Sequence, residues 1–137
     1  MAIRIKLSNK TIRSHSPFNV FIWDSVERPI RKLEITKALF EKRYNKTPYN
    51  SNQYDWSREK HIERIAWLVL HKARKPIEID VGIPSMEFCP ERLIQDGYHR
   101  LAAAYYRGDE TIMASIAGDC KYAEKLFGLP KGSVAAQ

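Results

Sequence analysis

The chain has 137 residues, of which 44% are apolar, and its 23 Lys and Arg residues outnumber its 16 Asp and Glu residues. A chain of this length can bury about two-thirds of its unfolded surface, which is enough for one hydrophobic core without crosslinks. Two cysteines are too few for a disulfide framework or a four-thiolate zinc site. The composition therefore predicts one globular domain and excludes a disulfide-stapled or zinc-ribbon protein.

The positive charge is concentrated in the N-terminal half. Residues 1–75 contain 17 Lys and Arg against 7 Asp and Glu, a net charge of +10, whereas residues 76–137 contain 6 against 9, a net charge of −3. A surface rich in Lys and Arg attracts phosphate backbones because binding releases counterions. The pattern favours a nucleic-acid partner, and solubility is the other explanation of the same charge.

No segment has the composition of a membrane span or a signal peptide. The longest apolar run, Ile65–Leu70, is far shorter than the ~20 residues that a membrane helix needs. Charges at Arg4, Lys6 and Lys10 interrupt the start of the chain. We therefore expect no membrane partner and a cytoplasmic location.

The first half of the chain contains four predicted elements. Alternation over Ile3–Leu7 predicts a half-buried strand, and Val20–Trp23 is typical of a short buried strand. The composition of Pro29–Tyr44 favours a helix towards the end of that segment. Turn-forming residues over Lys46–Tyr54 predict a loop.

The clearest helix signal covers residues 57–74, with Ser57 as the N-cap and Pro76 as the stop. Apolar residues recur at a spacing of three and four along one face: Ile62, Ile65, Ala66, Val69, Leu70 and Ala73. The opposite face is predicted to be cationic and carries Arg58, His61, Lys72 and Lys75.

Strands and helices alternate in the rest of the chain. The predicted elements are a strand at 76–81, a strand at 92–95, a helix at 98–107, a strand at 110–116 and a helix at 119–127. The predicted stops are Gly108 and Gly128, and residues 129–137 are expected to form a flexible tail. The order indicates a single domain of mixed α/β (α+β) class, in which helices flank a mixed sheet.

The turn Asp96–Arg100 concentrates the chemistry. A predicted strand leads through Gly97 into a helix whose first turn holds His99 and Arg100. A helix start presents N–H groups without a partner in the helix and carries a partial positive charge. A cation there lowers the stability of the helix by ~0.3–1 kcal/mol unless an anion lies nearby. Either Asp96 or a bound phosphate supplies that anion. Alternatively, Asp96 is an ordinary N-cap, Arg100 forms a helix-surface pair and His99 is a hydrogen-bonded or exposed ring.

Asp96-Gly97-Tyr98-His99-Arg100 resembles the Gly-x-x-Arg signature of the ParB/sulfiredoxin superfamily, which lies at a strand-to-helix turn and often reads Asp-Gly-x-His-Arg. The preceding order is also similar, because a helix over 57–74 is followed by Pro76-Ile77-Glu78-Ile79. The resemblance covers about residues 57–118. It implies a ParB/sulfiredoxin-like core over 57–128, with residues 1–56 as a basic N-terminal elaboration.

In nucleotide-binding members of that superfamily the turn holds phosphates. The resemblance therefore implies that Gly97, Tyr98, His99 and Arg100 bind a nucleotide such as ATP or CTP, together with Mg²⁺, and that His99 and Asp96 are catalytic residues of a nuclease or an NTP-hydrolysing enzyme. Small members are often carried by phages and plasmids. Sulfiredoxin reductase activity does not fit, because Tyr98 stands where the reductase has its cysteine.

Of two further groups of polar residues, the carboxylates are candidates for metal or base chemistry and the histidines are not. Glu78 and Asp80 lie on the strand next to the motif, although exposed strand carboxylates are more often simply solvated. His61 and His71 are ten positions apart on one helix and therefore point to different sides. We expect no zinc and no haem.

Aromatic and basic residues alternate around the predicted loop. The residues predicted to contact nucleic acid, expected to be DNA, or a protein partner are Arg43, Lys46, Tyr49, Tyr54 and Arg58. One hypothesis is a nucleotide- or nucleic-acid-phosphate-binding protein with nuclease or NTP-hydrolysing activity. The alternative is a catalytically inactive phage or plasmid protein that binds a host protein and inhibits or redirects it.

Overall fold

The computed structural model describes residues 3–15, 29–49, 56–90 and 93–134. The chain divides into two compact units, and each combines segments that are distant in sequence. The first unit contains Met1–Pro17, Lys75–Gly97 and Glu110–Gln137, and the second contains Phe18–Arg74 and Tyr98–Asp109. The predicted division between residues 56 and 57 lies inside the second unit.

The first unit contains a four-stranded mixed sheet. Its strands are β1 (Ile3–Ser8), β2 (Ile77–Asp80), β3 (Ile94–Asp96) and β4 (Thr111–Ala117), in the spatial order β1-β4-β2-β3. β4 pairs antiparallel with β1 and parallel with β2, and β3 pairs antiparallel with β2. The predicted α+β class with a mixed sheet is confirmed. The strand predicted at 20–23 lies outside the described residues.

Alternation along the strands produces one buried face of the sheet. Ile77 lies opposite Ala114, and Ile79 lies opposite Ile116. These four side chains and Leu7 of β1 are buried. Because every second residue of a strand points to the same side, these buried residues lie on one face of the sheet.

In the described part of the first unit there are two α-helices. The sequence did not predict α1 (Asn9–His15), which follows β1 directly, and the Asn9 N–H donates to the Glu110 carbonyl at 2.9 Å. The predicted last helix is confirmed as α5 (Cys120–Phe127). Asp119 is its N-cap, because its carboxylate accepts the N–H groups of the second and third helical residues.

Residues 129–134 are held against α5 instead of forming the start of a flexible tail. The buried Glu124 carboxylate accepts the N–H of Gly132 at 2.9 Å and the N–H of Val134 at 2.8 Å. Val134 is only 1% exposed. A buried carboxylate that receives two backbone N–H groups fixes the path of the chain after the helix.

The described residues of the second unit form three helices: α2 (Lys32–Phe40), α3 (Arg58–Leu70) and α4 (Tyr98–Arg107). A helix was predicted in each of these three places, and α4 has the predicted bounds. α2 lies earlier than predicted, because it ends at Phe40, before Glu41 to Arg43. Ser57 caps α3, because its hydroxyl accepts the Lys60 N–H at 3.3 Å. α3 packs against both α2 and α4. The buried apolar side chains of these helices are Ile35, Ala38, Ile62, Ile65, Ala66, Leu68 and Leu101 to Ala104.

α3 ends at Leu70 rather than at residue 74, and Arg107 of α4 is the reason. Its Nη1 donates to the Leu68 carbonyl at 2.8 Å and to the Val69 carbonyl at 3.3 Å, while the same guanidinium binds the Asp109 carboxylate at 2.8 Å. The last carbonyls of a helix need partners other than the next helical turn. Arg107 is this partner for the Leu68 and Val69 carbonyls, which would otherwise bond the next helical turn, so α3 ends at Leu70.

Replacement of Arg107 by alanine is expected to lower the free energy of unfolding by about 2 kcal/mol, because charge-assisted hydrogen bonds to the end of α3 are lost. Arg107→Lys keeps the charge but not the forked geometry and is expected to recover less than half of the loss. Urea titration followed by circular dichroism measures both values. An Arg107→Ala variant as stable as the parent would contradict this role.

Candidate phosphate-binding site

The predicted turn has the expected backbone order. β3 ends at Asp96, Gly97 has a φ of 109°, and α4 begins at Tyr98. A residue with a side chain rarely adopts such a φ, so glycine allows the chain to pass directly from strand to helix. Asp96 and Gly97 belong to the first unit, whereas Tyr98, His99 and Arg100 belong to the second.

The first turn of α4 is cationic. It contains Tyr98, His99 and Arg100 and no acidic residue. The start of a helix carries a partial positive charge and presents N–H groups that have no partner within the helix. Arg100 adds a full positive charge at this end, as the sequence predicted, so an anion bound here would be stabilised by both sources of charge.

His99 is hydrogen-bonded to a second histidine. Its Nε2 lies 2.8 Å from Nδ1 of His61 on α3, and the two rings are parallel within 6°. Both side chains are buried, so the prediction that His61 lies on a cationic surface is wrong. His61 precedes Ile65 and Leu68 by four and seven positions, which places all three on the buried face of α3.

Two aromatic rings surround the histidine pair. The centroid of the Tyr49 ring lies 5.4 Å from that of His61 and 5.2 Å from that of His99. Trp56 lies 5.6 and 5.9 Å from the same two rings, and 4.9 Å from Tyr49. Trp56 is buried and Tyr49 is partly exposed. The pair is therefore enclosed by rings and largely removed from solvent.

Burial keeps both histidines neutral at neutral pH. It lowers the pKa of His61 to about 4. The pKa of His99 lies well below its usual value because of burial and the positive charges that His61, Arg64 and Arg100 carry when protonated. In a neutral pair one ring donates its N–H and the other accepts it. The pair is thus a fixed hydrogen-bonded unit.

Two arginines of the second unit, Arg64 and Arg100, act on each other through their positive charges. The pKa of Arg64 is lowered by partial burial and by the positive charge of Arg100. Arg64 comes from α3 and Arg100 from α4, and Arg64 Nη1 also donates to the Asn45 carbonyl at 3.4 Å. Like charges in a partly buried place repel each other. An anion held by both groups would relieve this repulsion.

Two of the cations predicted to contact a partner are held by acidic side chains of the same unit. Arg58 pairs with Glu34 and also donates to the Pro29 carbonyl at 3.0 Å. The carboxylates around Arg43 are Glu41, Glu59 and Glu63, at 2.9, 2.8 and 3.1 Å. These pairs neutralise part of the charge that made the N-terminal half basic.

The other three predicted contact residues have different environments. Lys46 Nζ lies 5.1 Å from the centre of the Trp67 ring, which is the geometry of a cation–π contact. Tyr49 contacts the histidine pair described above. Tyr54 lies outside the described residues.

The candidate carboxylates lie in the first unit. Asp96 is half exposed and lies 3.6 Å from Lys75 Nζ, and Glu78 is its exposed cross-strand neighbour. The Asp80 carboxylate accepts the Gly82 N–H at 2.8 Å, so it stabilises the turn after β2. In the described part of the chain, no three His, Cys, Asp or Glu side chains are placed together to hold a metal ion.

The sequence missed Arg64 and the role of His61. The sequence signal that could have identified His61 as buried is its position on the apolar face of α3. Arg64 stands three residues later, and its place beside Arg100 depends on how α3 packs against α4.

Comparisons with protein-family models, with curated proteins and with solved structures find no match. None of the helices in the described ranges is long and apolar enough to span a bilayer.

Proposed function

We propose that the protein binds the phosphate of a nucleotide or nucleic acid at the first turn of α4, through Arg100 and Arg64. The observation that carries the proposal is the cationic first turn of α4, where Arg100 stands at the positive end of the helix and the positive charges of Arg64 and Arg100 both act on the buried His99. Phosphate is the anion that fits best, because guanidinium groups bind its oxygens in pairs and helix N-termini add backbone N–H donors.

The backbone of the turn supports assignment to the ParB/sulfiredoxin superfamily. β3 ends at Asp96, and α4 begins directly after the positive-φ Gly97. In this proposal the chain is a phosphate-binding member without the reductase cysteine, because Tyr98 occupies that position. Gly97 provides the change of direction, and Tyr98, His99 and Arg100 form the binding turn.

The histidine pair is assigned to positioning. A general base works best when its pKa lies near the working pH, and burial and nearby positive charges hold the pKa of His99 far below that range. His99 is therefore a poor proton acceptor at neutral pH. The hydrogen bond to His61 fixes the His99 ring next to Arg100 in the first turn of α4. Phosphate binding rather than hydrolysis is the function that these groups support.

Docking on a host protein through a basic surface receives less support. Arg43 and Arg58, which were to provide that surface, are paired with carboxylates of their own unit. Arg64 and Arg100 have each other's positive charge as a neighbour. The pairing of Arg43 and Arg58 with carboxylates therefore weakens the case for a protein partner on this surface.

The Arg100→Ala variant is expected to bind ATP, CTP and inorganic tripolyphosphate about 10- to 100-fold more weakly than the parent, because one charge-assisted contact is lost. Isothermal titration calorimetry measures the dissociation constants. Arg74→Ala removes one exposed arginine of the same unit and is the matched control, expected to bind as the parent does. Absence of binding in the parent, or equal binding by a folded Arg100→Ala variant, would refute the proposal.

A further inference from the structure

A groove lies next to the proposed phosphate site, within the second unit. It encloses about 500 Å³, and its lining includes Tyr44, Asn45, Lys46, Trp56 and Lys60. This volume is in the range of sites that hold small molecules or single groups of larger ligands, ~300–1,000 Å³. The groove runs between the segment after α2 and the start of α3.

Two residues connect the groove to the phosphate site. Asn45 lines the groove, and its carbonyl accepts the Arg64 guanidinium at 3.4 Å. Trp56 also lines the groove, and its ring lies 5.9 Å from that of His99. A ligand in the groove would therefore lie beside the groups that we assign to phosphate.

The lining combines positive charge with aromatic rings. Lys46 and Lys60 provide two cations, while Glu63, the acidic residue among the described lining, is paired with Arg43 at 3.1 Å. Tyr44 provides a partly exposed ring, and the buried Trp56 forms part of the groove wall. Proteins that bind single-stranded nucleic acid use cationic grooves with aromatic side chains on which bases stack. A duplex presents its bases already stacked and paired, so placing one of them in the groove costs free energy of unstacking and unpairing that a single strand does not need.

We propose that the groove receives an unpaired base of single-stranded nucleic acid, with Lys46 and Lys60 on the phosphates that flank this base. This inference rests on the proposed function, because a further phosphate of the same strand lies at Arg64 and Arg100. It specifies the ligand as a single strand rather than a free nucleotide or a duplex.

A labelled oligothymidylate of about 12 nucleotides, within the usual site size of single-strand binders, tests the inference by fluorescence anisotropy. The double variant Lys46→Ala/Lys60→Ala is expected to bind it at least tenfold more weakly than the parent. Its slope of log affinity against log salt concentration should be smaller by about 1.4, because two phosphate contacts of a single strand are lost. Lys37→Ala/Arg74→Ala removes the same charge from exposed positions of the same unit and is the control.

A strand of the same length without bases tests the aromatic part of the groove. The parent is expected to prefer oligothymidylate over the abasic strand by about tenfold, since stacking of one base on an aromatic ring has an effect of this order. Tyr44→Leu is expected to reduce this preference and to leave tripolyphosphate binding unchanged.

The outcomes separate this inference from the proposed function. Equal oligonucleotide binding by the lysine double variant and its control would overturn the inference, and so would tighter binding of a duplex or of thymidine monophosphate. If tripolyphosphate still binds in an Arg100-dependent manner in those cases, the proposed function stands. Failure of the parent to bind tripolyphosphate would remove the proposed function, and failure to bind oligothymidylate would remove the inference.

Discussion

Acidification from about pH 7 to about pH 4.5 is expected to lower the free energy of unfolding by at least about 2 kcal/mol, which is the share of His61 alone, and His99 of the same buried pair adds to it. Burial holds the pKa of His61 at about 4, compared with 6.5 for an exposed histidine. The pKa of His99 is shifted in the same direction by burial and neighbouring positive charge.

The direction of this pH dependence is set by the state, folded or unfolded, that takes up protons at the higher pH. As the pH falls through 6.5, histidines of the unfolded chain take up protons while the buried pair remains neutral, so the unfolded state is favoured. The stability due to the neutral pair is complete above about pH 6.5 and is lost as the pH approaches 4. Arg64 on α3 and Arg100 on α4 are the charged groups that strengthen the effect for His99, since both disfavour an imidazolium.

Urea titrations between about pH 4.5 and pH 7 measure this dependence. The double variant His61→Asn/His99→Gln places amides near the two hydrogen-bonding nitrogens and cannot titrate, so its stability is expected to change much less over the same range. His71→Gln, which removes an exposed imidazole, is the control and is expected to keep the parent's dependence. The same pH dependence in the double variant and in the parent would contradict the assignment.

A separate loss of stability is expected at lower pH. Partial burial of Asp109 opposes its ionisation, but the hydrogen bonds and charge of Arg107, with the charge of Lys72, hold its pKa below the usual 3.8. Its contribution is therefore present above about pH 4 and disappears only as the pH falls further. The two effects occupy different ranges of pH.

The Gly118→Ala variant is expected to lose about 3 kcal/mol of unfolding free energy or to fail to fold. A Cβ atom at this position would lie 2.6 Å from the Gly82 carbonyl oxygen and 2.7 Å from the Gly82 nitrogen. Both are backbone atoms, and that carbonyl accepts the Asp119 N–H at 2.8 Å, so it cannot rotate away without breaking this bond. The φ of +100° adds strain for any residue with a side chain.

Gly108→Ala is the matched control for this substitution. Gly108 also has a positive φ, +79°, but a Cβ there meets no atom within 4 Å. It is therefore expected to lose only about 1 kcal/mol, the conformational cost alone. Urea titration of the two variants, with soluble yield for a variant that does not fold, measures the difference. Equal losses would show that the contact with Gly82 has no effect.

Elements with local signals were predictable from the sequence. Ser57 identified the start of α3, period-two alternation identified β1 and β2, and glycines identified the ends of α4 and α5. Each of these signals acts within a few residues, so it needs no knowledge of packing.

The features that were not predicted depend on partners distant in the chain. The end of α3 is set by Arg107, and the buried position of His61 is completed by a hydrogen bond to His99. The path of residues 129–134 is set by Glu124. For the candidate site, Arg100 was recognisable from its place in the turn, whereas Arg64 becomes its neighbour only when α3 packs against α4.

The strand order has a consequence for synthesis on the ribosome. β1 pairs with β4, and their register joins Ile3 to Ile116 and Ser8 to Thr111, so more than 100 residues separate the partners. At translation rates of about 5–20 residues per second, β4 is synthesised on the order of 5–20 s after β1. β2 and β3 can pair earlier. Because β4 lies between β1 and β2, the four-stranded sheet can be completed only after translation has passed residue 117. Until then the nascent chain exposes an unpaired apolar strand, to which chaperones can bind.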